Sequence, residues 1–309
     1  MDALILKPGC PILSRDIEDY PDGIIIPIDK PYRWTSADVI RKVKFAAIRH
    51  FGKKNLKVGH AGTLDPLATG VLLVCIGKAT KLAEELQSHD KEYIAGVTFG
   101  ATTPSYDLEK GIDRFFPYEH ITAESVSEAL PSFIGEQDQV APLFSAKSVD
   151  GVRAYEIARK LHKEGKTLDE AAQELRRTAR INITGLELLK FDDASDDCGL
   201  RKCAAPLTAG ERTHDEGAGG IVPQPASSDA SRRINVTDNS ALGLPRAIIR
   251  MACSKGTYVR AFARDLGEAL GSGAHLDSLQ RSRSGIFKVE DSMSIEDVIM
   301  IFHHPDRGA

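Results

Sequence analysis

The sequence lacks any apolar run near the roughly 20 residues that a membrane-spanning helix needs, so it predicts no membrane segment. Its first residues, Met1-Asp2-Ala3-Leu4, lack the basic region and the long apolar core of a secretory signal. The 5 cysteines are odd in number and scattered, which argues against a disulfide framework. We therefore expect a cytoplasmic protein with reduced thiols and no membrane partner.

Metal-ligating clusters and phosphate-binding glycine loops are also missing from the sequence. No group of Cys and His residues has the spacing of a metal site, and no Walker-type glycine loop occurs. Cys198 and Cys203 are near each other in the chain but have no companion ligands. The sequence therefore predicts neither a bound metal nor a cofactor.

Positive charge is concentrated in one part of a chain whose net charge is −4. Residues 30–57 carry 9 Lys or Arg side chains against a single acid, Asp38. Such a run is typical of a solvated helix face. Beside an active site, it would instead indicate a surface that binds phosphates.

The composition, with 42% hydrophobic and 27% charged residues, is that of a globular enzyme of one large domain or two ordinary ones. Residues 1–22 show no clear periodicity and are interpreted as an N-terminal extension that wraps or frays. Residues 192–244 are rich in Asp, Gly, Ala, Ser and Pro, so we expect a mobile insertion there. The remainder of residues 23–303 is predicted to be one catalytic domain.

Hydrophobic periodicity and turn residues predict alternating strands and helices. Ser36 is the expected N-cap of the first helix. The predicted strands are 23–28, 71–76, 91–100, a strand and turn over 140–151, 178–191, 246–253 and 274–287. The predicted helices are 36–51, 78–87, 123–133, 153–163, one that ends near 270, and 295–302.

The stretch from Lys57 to Gly70 reads as a glycine-punctuated loop that carries one carboxylate, Asp65. Pro66 pushes the backbone of Asp65 out of the α region, and the apolar run that follows predicts a buried strand. Catalytic groups tend to lie on such loops when a packed scaffold holds them. An ordinary connector with an Asp-Pro turn is the other interpretation.

This stretch resembles the catalytic motif of the tRNA pseudouridine-55 synthases, the TruB family, with the pattern G-H-x-G-T-L-D-P-x-A-x-G. The segments Lys30-Pro31-Tyr32-Arg33-Trp34-Thr35-Ser36 and Ala154-Tyr155 to Ala158-Arg159 resemble further family motifs. The resemblance covers roughly residues 23–191 and 245–290. It implies an α+β pseudouridine synthase fold, with a mixed, largely antiparallel central sheet flanked by helices.

The resemblance also implies a role for each of five residues. Asp65 would be the nucleophile, and Tyr93 would pack on the uracil. Arg260 would pair with the aspartate, Leu279 would line the uracil pocket, and His60 would fill the space that flipped bases leave. Each of the last four also has an ordinary structural interpretation, as a strand aromatic, a surface arginine, a core leucine and a satisfied histidine. The motif from Lys30 to Ser36 would brace the catalytic loop without taking part in the chemistry.

The resemblance implies isomerisation of uridine to pseudouridine at position 55 in the T-loop of tRNA, without a cofactor or metal. The partner would be the T-arm of tRNA, and we expect a monomer without the RNA-binding PUA domain that many family members carry. Pro104 and Ser105 depart from the commoner family sequence, which weakens an assignment of RNA contacts to that segment but leaves the reaction intact.

Three other functions remain open from the sequence. A tRNA-binding folding chaperone would use the same RNA surface without necessary chemistry. A glycoside hydrolase would need a second carboxylate as general acid, and none is evident around Asp65. A guide-RNA-dependent relative would be expected to carry the additional domain.

Overall fold

Buried strands organise the chain, which a computed structural model describes for residues 3–142, 148–149, 152–153, 178–195 and 234–302. The strands are β1 (Leu4–Ile5), β2 (Ile24–Lys30), β3 (Val58–Ala61), β4 (Ala68–Ile76), β5 (Lys91–Phe99), β6 (Ala101–Thr102), β7 (Arg114–Phe115), β8 (Gly135–Val140), β9 (Ser148–Val149), β10 (Val152–Arg153), β11 (Thr178–Asp192), β12 (Arg246–Cys253), β13 (Ala274–Ser284) and β14 (Phe287–Lys288).

The α-helices of the described residues are α1 (Ser36–Phe51), α2 (Ala83–Ser88), α3 (Ala123–Ala129), α4 (Val259–Ala269) and α5 (Ile295–Phe302). Short 3-10 helices also occur, among them Gly77–Leu82 before α2 and Leu130–Phe133 after α3. No helix among the described residues is long and apolar enough to cross a membrane.

The described residues divide into two compact units. The first unit comprises residues 3–93, 234 and 279–302, and the second comprises the described residues between 94 and 278 other than residue 234. Strands β5 and β13 each contribute residues to both units, because the division falls within them.

The sheet of the first unit is built on β4, whose residues from Gly70 onward are all buried. Strands β2 and β3 pair antiparallel with β4, and β1 pairs parallel with β2. The C-terminal part of β13 pairs parallel with the start of β4 and antiparallel with β14. An apolar strand that is buried on both faces needs no alternation, which explains the unbroken run Val71–Ile76.

Helix α1 in the first unit begins with a capping box. Thr35 is the N-cap, its side chain accepts from the backbone N–H of Asp38, and Asp38 accepts from Thr35 in return. The far end of α1 packs on α5, where the His50 and Phe302 rings lie 5.5 Å apart. The expected N-cap, Ser36, was therefore wrong by one residue, because only Thr35 has an acid three residues later.

The sheet of the second unit has β11 at its centre. Strands β12 and β8 both pair antiparallel with β11, and bulges at Ile183/Gly185 and Leu188/Lys190 shift the register with β12. Phe133 and Phe262 meet edge to face at 5.5 Å, so the 3-10 turn after α3 packs on α4. Antiparallel pairs predominate in both units, which confirms the predicted α+β fold class.

Several predicted bounds were wrong. The strand predicted at 71–76 begins three residues earlier, at Ala68, and the helix predicted at 78–87 is a 3-10 segment followed by α2. Of the strand and turn predicted over 140–151, the structure describes β9, and most of the rest lies outside the described residues, whereas β8 was not predicted. Residues 3–22 wrap rather than fray, because β1 pairs with β2 and Leu6 is buried. Most of the helix predicted at 153–163 lies outside the described residues. The same holds for most of the insertion predicted at 192–244.

Candidate active site

Asp65 lies in the first unit, on the loop that joins β3 to β4, and is half-buried. Its backbone carbonyl accepts from the N–H of Ala68 at 3.1 Å, which closes a turn just before β4 begins. The neighbouring side chains of Leu64 and Leu67 are buried, with 4% and 8% of their surface exposed. Two apolar anchors thus fix the loop on either side of the carboxylate.

Lys30 holds the loop from the end of β2. Its fully buried ammonium donates to the carbonyls of Pro31, Trp34 and Pro66 at 2.9, 2.6 and 3.2 Å. Three acceptors use all three donors of an ammonium. The backbone N–H of Arg33 donates to the same Pro66 carbonyl at 3.0 Å, so the residue after Asp65 is fixed twice.

Ser36 holds the residue before Asp65. Its hydroxyl donates to the carbonyl of Leu64 at 3.1 Å and accepts from the N–H of Leu64 at 3.0 Å. Both residues are buried, so this reciprocal pair satisfies two backbone groups that water cannot reach. The motif at residues 30–36 therefore braces the loop, as predicted.

Arg281 on β13 supports the other flank of the loop. Its buried guanidinium donates from Nε to the carbonyl of Val71 at 2.7 Å and from Nη2 to the carbonyl of Gly62 at 3.1 Å. Gly70 lies against the backbone of Arg281: with φ at +96°, a Cβ there would meet the Arg281 carbonyl oxygen at 2.3 Å. Only glycine fits this contact.

The electrostatics of the loop reflect two buried cations. Burial lowers the pKa of Lys30 to about 8; the attraction of Asp65 raises that pKa, and the charge of Arg281 lowers it further. Asp65 is the acid that most favours the charged form of this buried ammonium, and Asp29 and Asp38 act in the same direction. The Asp65 carboxylate therefore shares the loop with two cations, Lys30 and Arg281.

His60 lies on β3, in register with Val74, and is half-buried. Burial, followed by the charge of Arg281, lowers the pKa of His60 from its ordinary value. Its Nδ1 atom is buried and has no hydrogen-bond partner among the described residues. Burial and the Arg281 charge thus both favour the neutral form of this imidazole, and its Nδ1 is a buried polar atom without a hydrogen bond to any described residue.

Leu279 and Tyr93 occupy strands of the same unit. Leu279 is half-buried and pairs in register with Ala68, whose N–H closes the turn at Asp65. The structure therefore brings Leu279 beside the root of the Asp65 loop. Tyr93 lies on β5 with 9% of its surface exposed, on the buried side that Ala95 and Val97 share.

Arg260 belongs to the second unit, at the start of α4, where it is buried. Its Nη1 atom lies 3.5 Å from Oδ2 of Asp107 and donates to the carbonyl of Ser105 at 3.1 Å. Asp107 is itself fixed, because its Oδ1 accepts from the Ser105 hydroxyl at 2.6 Å. The segment with the unusual residues 104 and 105 thus folds inward and holds Arg260.

Sequence reasoning gave no role to Arg281 or Asp107, and it gave Lys30 only a bracing one. Lys30 precedes Pro31 in a motif that the sequence analysis quoted, and its burial is the new information. Arg281 and Asp107 act on groups far along the chain, so no local spacing indicates them. No cluster of three or more potential metal ligands occurs among the described residues.

Comparisons with known proteins give the family. The family model for TruB family pseudouridylate synthase, N-terminal domain, matches residues 49–201. The model for the tRNA pseudouridylate synthase B C-terminal domain matches residues 260–307. The chain is 44% identical over 278 residues to tRNA pseudouridine synthase B of Phocaeicola vulgatus, covering 90% of this chain and 92% of that protein. It is 38% identical to the Thermus thermophilus protein of the same name, covering 88% of this chain and 76% of that one.

A solved structure supports the fold. A chain in the crystal structure of a Cbf5–Nop10–Gar1 complex matches 97% of this chain with a TM-score of 0.54 and 23% identity. The match spans 60% of that solved chain. The solved structure bears on the fold alone, and the identity to curated relatives over about nine-tenths of the sequence establishes that the chain belongs to the TruB family of pseudouridylate synthases and is an isomerase.

Proposed function

We propose that this enzyme isomerises uridine 55 in the T-loop of tRNA to pseudouridine, with Asp65 as the nucleophile. The observation that carries the proposal is the fixation of the Asp65 loop. Lys30 and Arg33 hold Pro66, Ser36 holds Leu64, and Arg281 holds Gly62. A carboxylate whose two neighbours are pinned loses little further freedom when it attacks, which lowers the entropic part of the barrier.

The reaction breaks the N1–C1′ glycosidic bond, turns the uracil and rejoins it to the ribose through C5. The base must first leave the folded RNA, at a cost of a few kcal/mol. In the proposed mechanism the carboxylate of Asp65 forms a covalent intermediate, either at C1′ of the ribose or at C6 of the base. When C5 bonds to C1′, C5 loses a proton, N1 gains one and the Asp65 carboxylate is released, so the product is an isomer of the substrate and no cofactor is required.

The other predicted residues act on the same nucleotide. Tyr93 and Leu279 form apolar walls for the uracil, and stacking of a base on an aromatic ring contributes about 1–3 kcal/mol. The neutral imidazole of His60, with its unpartnered Nδ1, occupies the gap that the flipped nucleotide leaves. The pairing of Arg260 with the Asp65 carboxylate is carried over from the family resemblance, and Asp107 fixes Arg260 within its own unit.

The test uses purified full-length chain and an unmodified tRNA transcript, followed by mapping of pseudouridine at nucleotide resolution. We expect conversion at position 55 by the wild type and no conversion by Asp65→Asn. Asp291→Asn, at an exposed acid that ends the 3-10 helix Val289–Asp291, is the matched control and should retain wild-type conversion. A second transcript with cytidine at position 55 should give no product.

Three outcomes would contradict the proposal. Conversion by Asp65→Asn at the wild-type rate would exclude Asp65 as the nucleophile. Conversion only at another position would overturn the substrate site. Tight tRNA binding and improved tRNA folding without conversion would favour the chaperone function instead.

A further inference from the structure

A basic pocket lies outside the Asp65 loop, between the C-terminal half of α1 and the turn that leads into β3. Three lysines line it, Lys44 from α1 and Lys54 and Lys57 from the turn, together with Asn55, Gly59 and Thr80. All three lysines are exposed, and no acidic residue is among those that line the pocket. The pocket therefore combines a concave surface with charge of one sign.

The charge of this pocket is not neutralised within the described part of the chain. Lys53, the neighbour of Lys54, forms an ion pair with Glu18 at 2.8 Å. Lys44, Lys54 and Lys57 have no such carboxylate partner among the described residues. Three ammonium groups that line one pocket repel one another, and an anion bound in the pocket is attracted by each of them.

The position of the pocket connects it to the predicted active site. Its wall includes Gly59, the second residue of β3, and the next residue along the strand is His60. A Cβ built on Gly59 would meet no atom within 4 Å, so this side of the strand is open. Successive side chains of a strand point to opposite faces, so the pocket is adjacent to His60 along β3 but faces away from the His60 side chain.

We propose that Lys44, Lys54 and Lys57 bind backbone phosphates of the RNA substrate at a site separate from the flipped nucleotide. The inference rests on the proposed function for its choice of RNA as the polyanion. Lysine contacts to phosphate position a nucleic acid without reading its sequence, and they release condensed counterions on binding. The pocket would therefore contribute affinity and orientation, and the chemical step would not depend on it.

The test compares the triple variant Lys44→Gln/Lys54→Gln/Lys57→Gln with a control of equal charge change, Lys7→Gln/Lys110→Gln/Lys288→Gln. The control lysines are exposed and line no part of the pocket. Lys and Gln have similar helix propensity, so both variants should fold. Dissociation constants for unmodified tRNA transcript are measured between 50 and 300 mM KCl, in an Asp65→Asn background that prevents turnover.

We expect the pocket variant to bind tRNA about tenfold or more weakly than its parent. The slope of log Kd against log[salt] should be smaller by about 2, because fewer counterions are released on binding. The control should keep the slope within about 0.5 of its parent. Single-turnover conversion at saturating enzyme, with Asp65 intact, should stay within about twofold of wild type, because the phosphate contacts do not touch the reacting base.

Equal slopes for the pocket variant and the control would overturn the proposal. The proposal would also be overturned if millimolar inorganic phosphate stabilised the wild type but not the pocket variant against heat, while both bound RNA equally. The pocket would then be a site for a free anion. Failure of the proposed function is seen separately. Wild-type chain that binds tRNA with a pocket-dependent slope but makes no pseudouridine would refute the function and retain the phosphate site.

Discussion

Arg260 and Asp107 form a buried ion pair, with Nη1 of the arginine 3.5 Å from Oδ2 of the carboxylate and side chains only 6% and 7% exposed. A buried pair of this kind contributes little net stability over an apolar pair, but loss of one partner leaves an uncompensated charge. Ser105 fixes the carboxylate and also accepts from the arginine. The geometry of Arg260 therefore depends on a segment 150 or more residues earlier in the chain.

Replacement of Asp107 tests that dependence. Asp107→Asn keeps the shape of the side chain and an oxygen for the Ser105 hydroxyl, but it removes the Asp107 charge from the buried Arg260 guanidinium. We expect a loss of about 3 kcal/mol in the free energy of unfolding and a fall in kcat of at least tenfold. Urea denaturation and single-turnover conversion of tRNA measure the two effects.

The control for Asp107 is Asp277→Asn. Asp277 accepts from Arg246 at 2.6 and 2.7 Å in the same unit, and its ion pair does not involve Arg260. This variant should lose comparable stability and keep kcat within a fewfold of wild type. If both variants lower kcat equally, the role of Asp107 is stability alone.

Replacement of Ser36 tests the fixation of the Asp65 loop. Ser36→Ala removes a hydroxyl that both donates to and accepts from Leu64, and two buried backbone groups lose their partner. We expect a destabilisation of about 1–3 kcal/mol and a fall in kcat of about tenfold, with the KM for tRNA little changed.

Thr122→Ala is the matched control for Ser36. Thr122 caps α3 in the second unit, and the loss of an N-cap costs about 1 kcal/mol. Its kcat should remain that of wild type. A Ser36→Ala variant that is destabilised but fully active would refute the proposed link between loop fixation and rate.

The close contact of Gly70 with Arg281 predicts a steep cost for a single methyl group. Gly70→Ala places a Cβ 2.3 Å from the Arg281 carbonyl oxygen, so the backbone must move, and φ at +96° disfavours alanine in addition. We expect a loss of about 3 kcal/mol or more in stability. Gly52→Ala also has a positive φ, at +62°, but meets no atom within 4 Å, and should cost only about 1 kcal/mol. Equal costs at the two sites, measured by thermal denaturation, would contradict the contact.

The lowered pKa of Lys30 predicts a pH dependence of stability on the alkaline side. The folded chain releases the Lys30 proton near pH 8, and the unfolded chain releases it near its ordinary pKa of 10.5. Between these values the unfolded state binds more protons, so this group makes the folded state more stable as pH rises. The full gain is on the order of 3 kcal/mol.

Comparison with Lys30→Met isolates this effect. The variant lacks both the titrating group and the donors to three carbonyls, so it should be less stable than wild type at pH 7. The difference in free energy of unfolding should widen between pH 8 and pH 10, measured by urea denaturation. Lys288→Met, at an exposed lysine, should show a constant difference. A difference that stays constant for Lys30→Met as well would refute the pKa shift.

Contiguous features of the fold could be predicted from the sequence. Strand β12 and helix α5 have the predicted bounds, because each is a continuous apolar or periodic segment with clear ends. The Asp65 loop was equally visible, since its glycines, proline and carboxylate follow one another. Thr35 could have been identified as the N-cap from the acid at Asp38, three residues later.

Apart from the bracing by residues 30–36 that the family resemblance implied, the individual contacts that support the site could not be predicted, because their partners are distant in the chain. The Lys30 ammonium reaches Pro66, and the Arg281 guanidinium reaches carbonyls more than 200 residues earlier. A side chain that donates to backbone carbonyls leaves no signature in the residue type of its partner. The ion pair of Arg260 with Asp107 has the same character, and the predicted pairing of Arg260 with Asp65 stays a prediction.

The dependence of the Asp65 loop on Arg281 has a consequence for biosynthesis. The guanidinium that holds Gly62 is 219 residues downstream of it. At about 5–20 residues per second, a ribosome makes that intervening chain in roughly 10–40 s. During this interval the nascent chain contains Asp65 but not the strand that completes the support of its loop. The loop therefore gains the support of the guanidinium only after Arg281 has been synthesised.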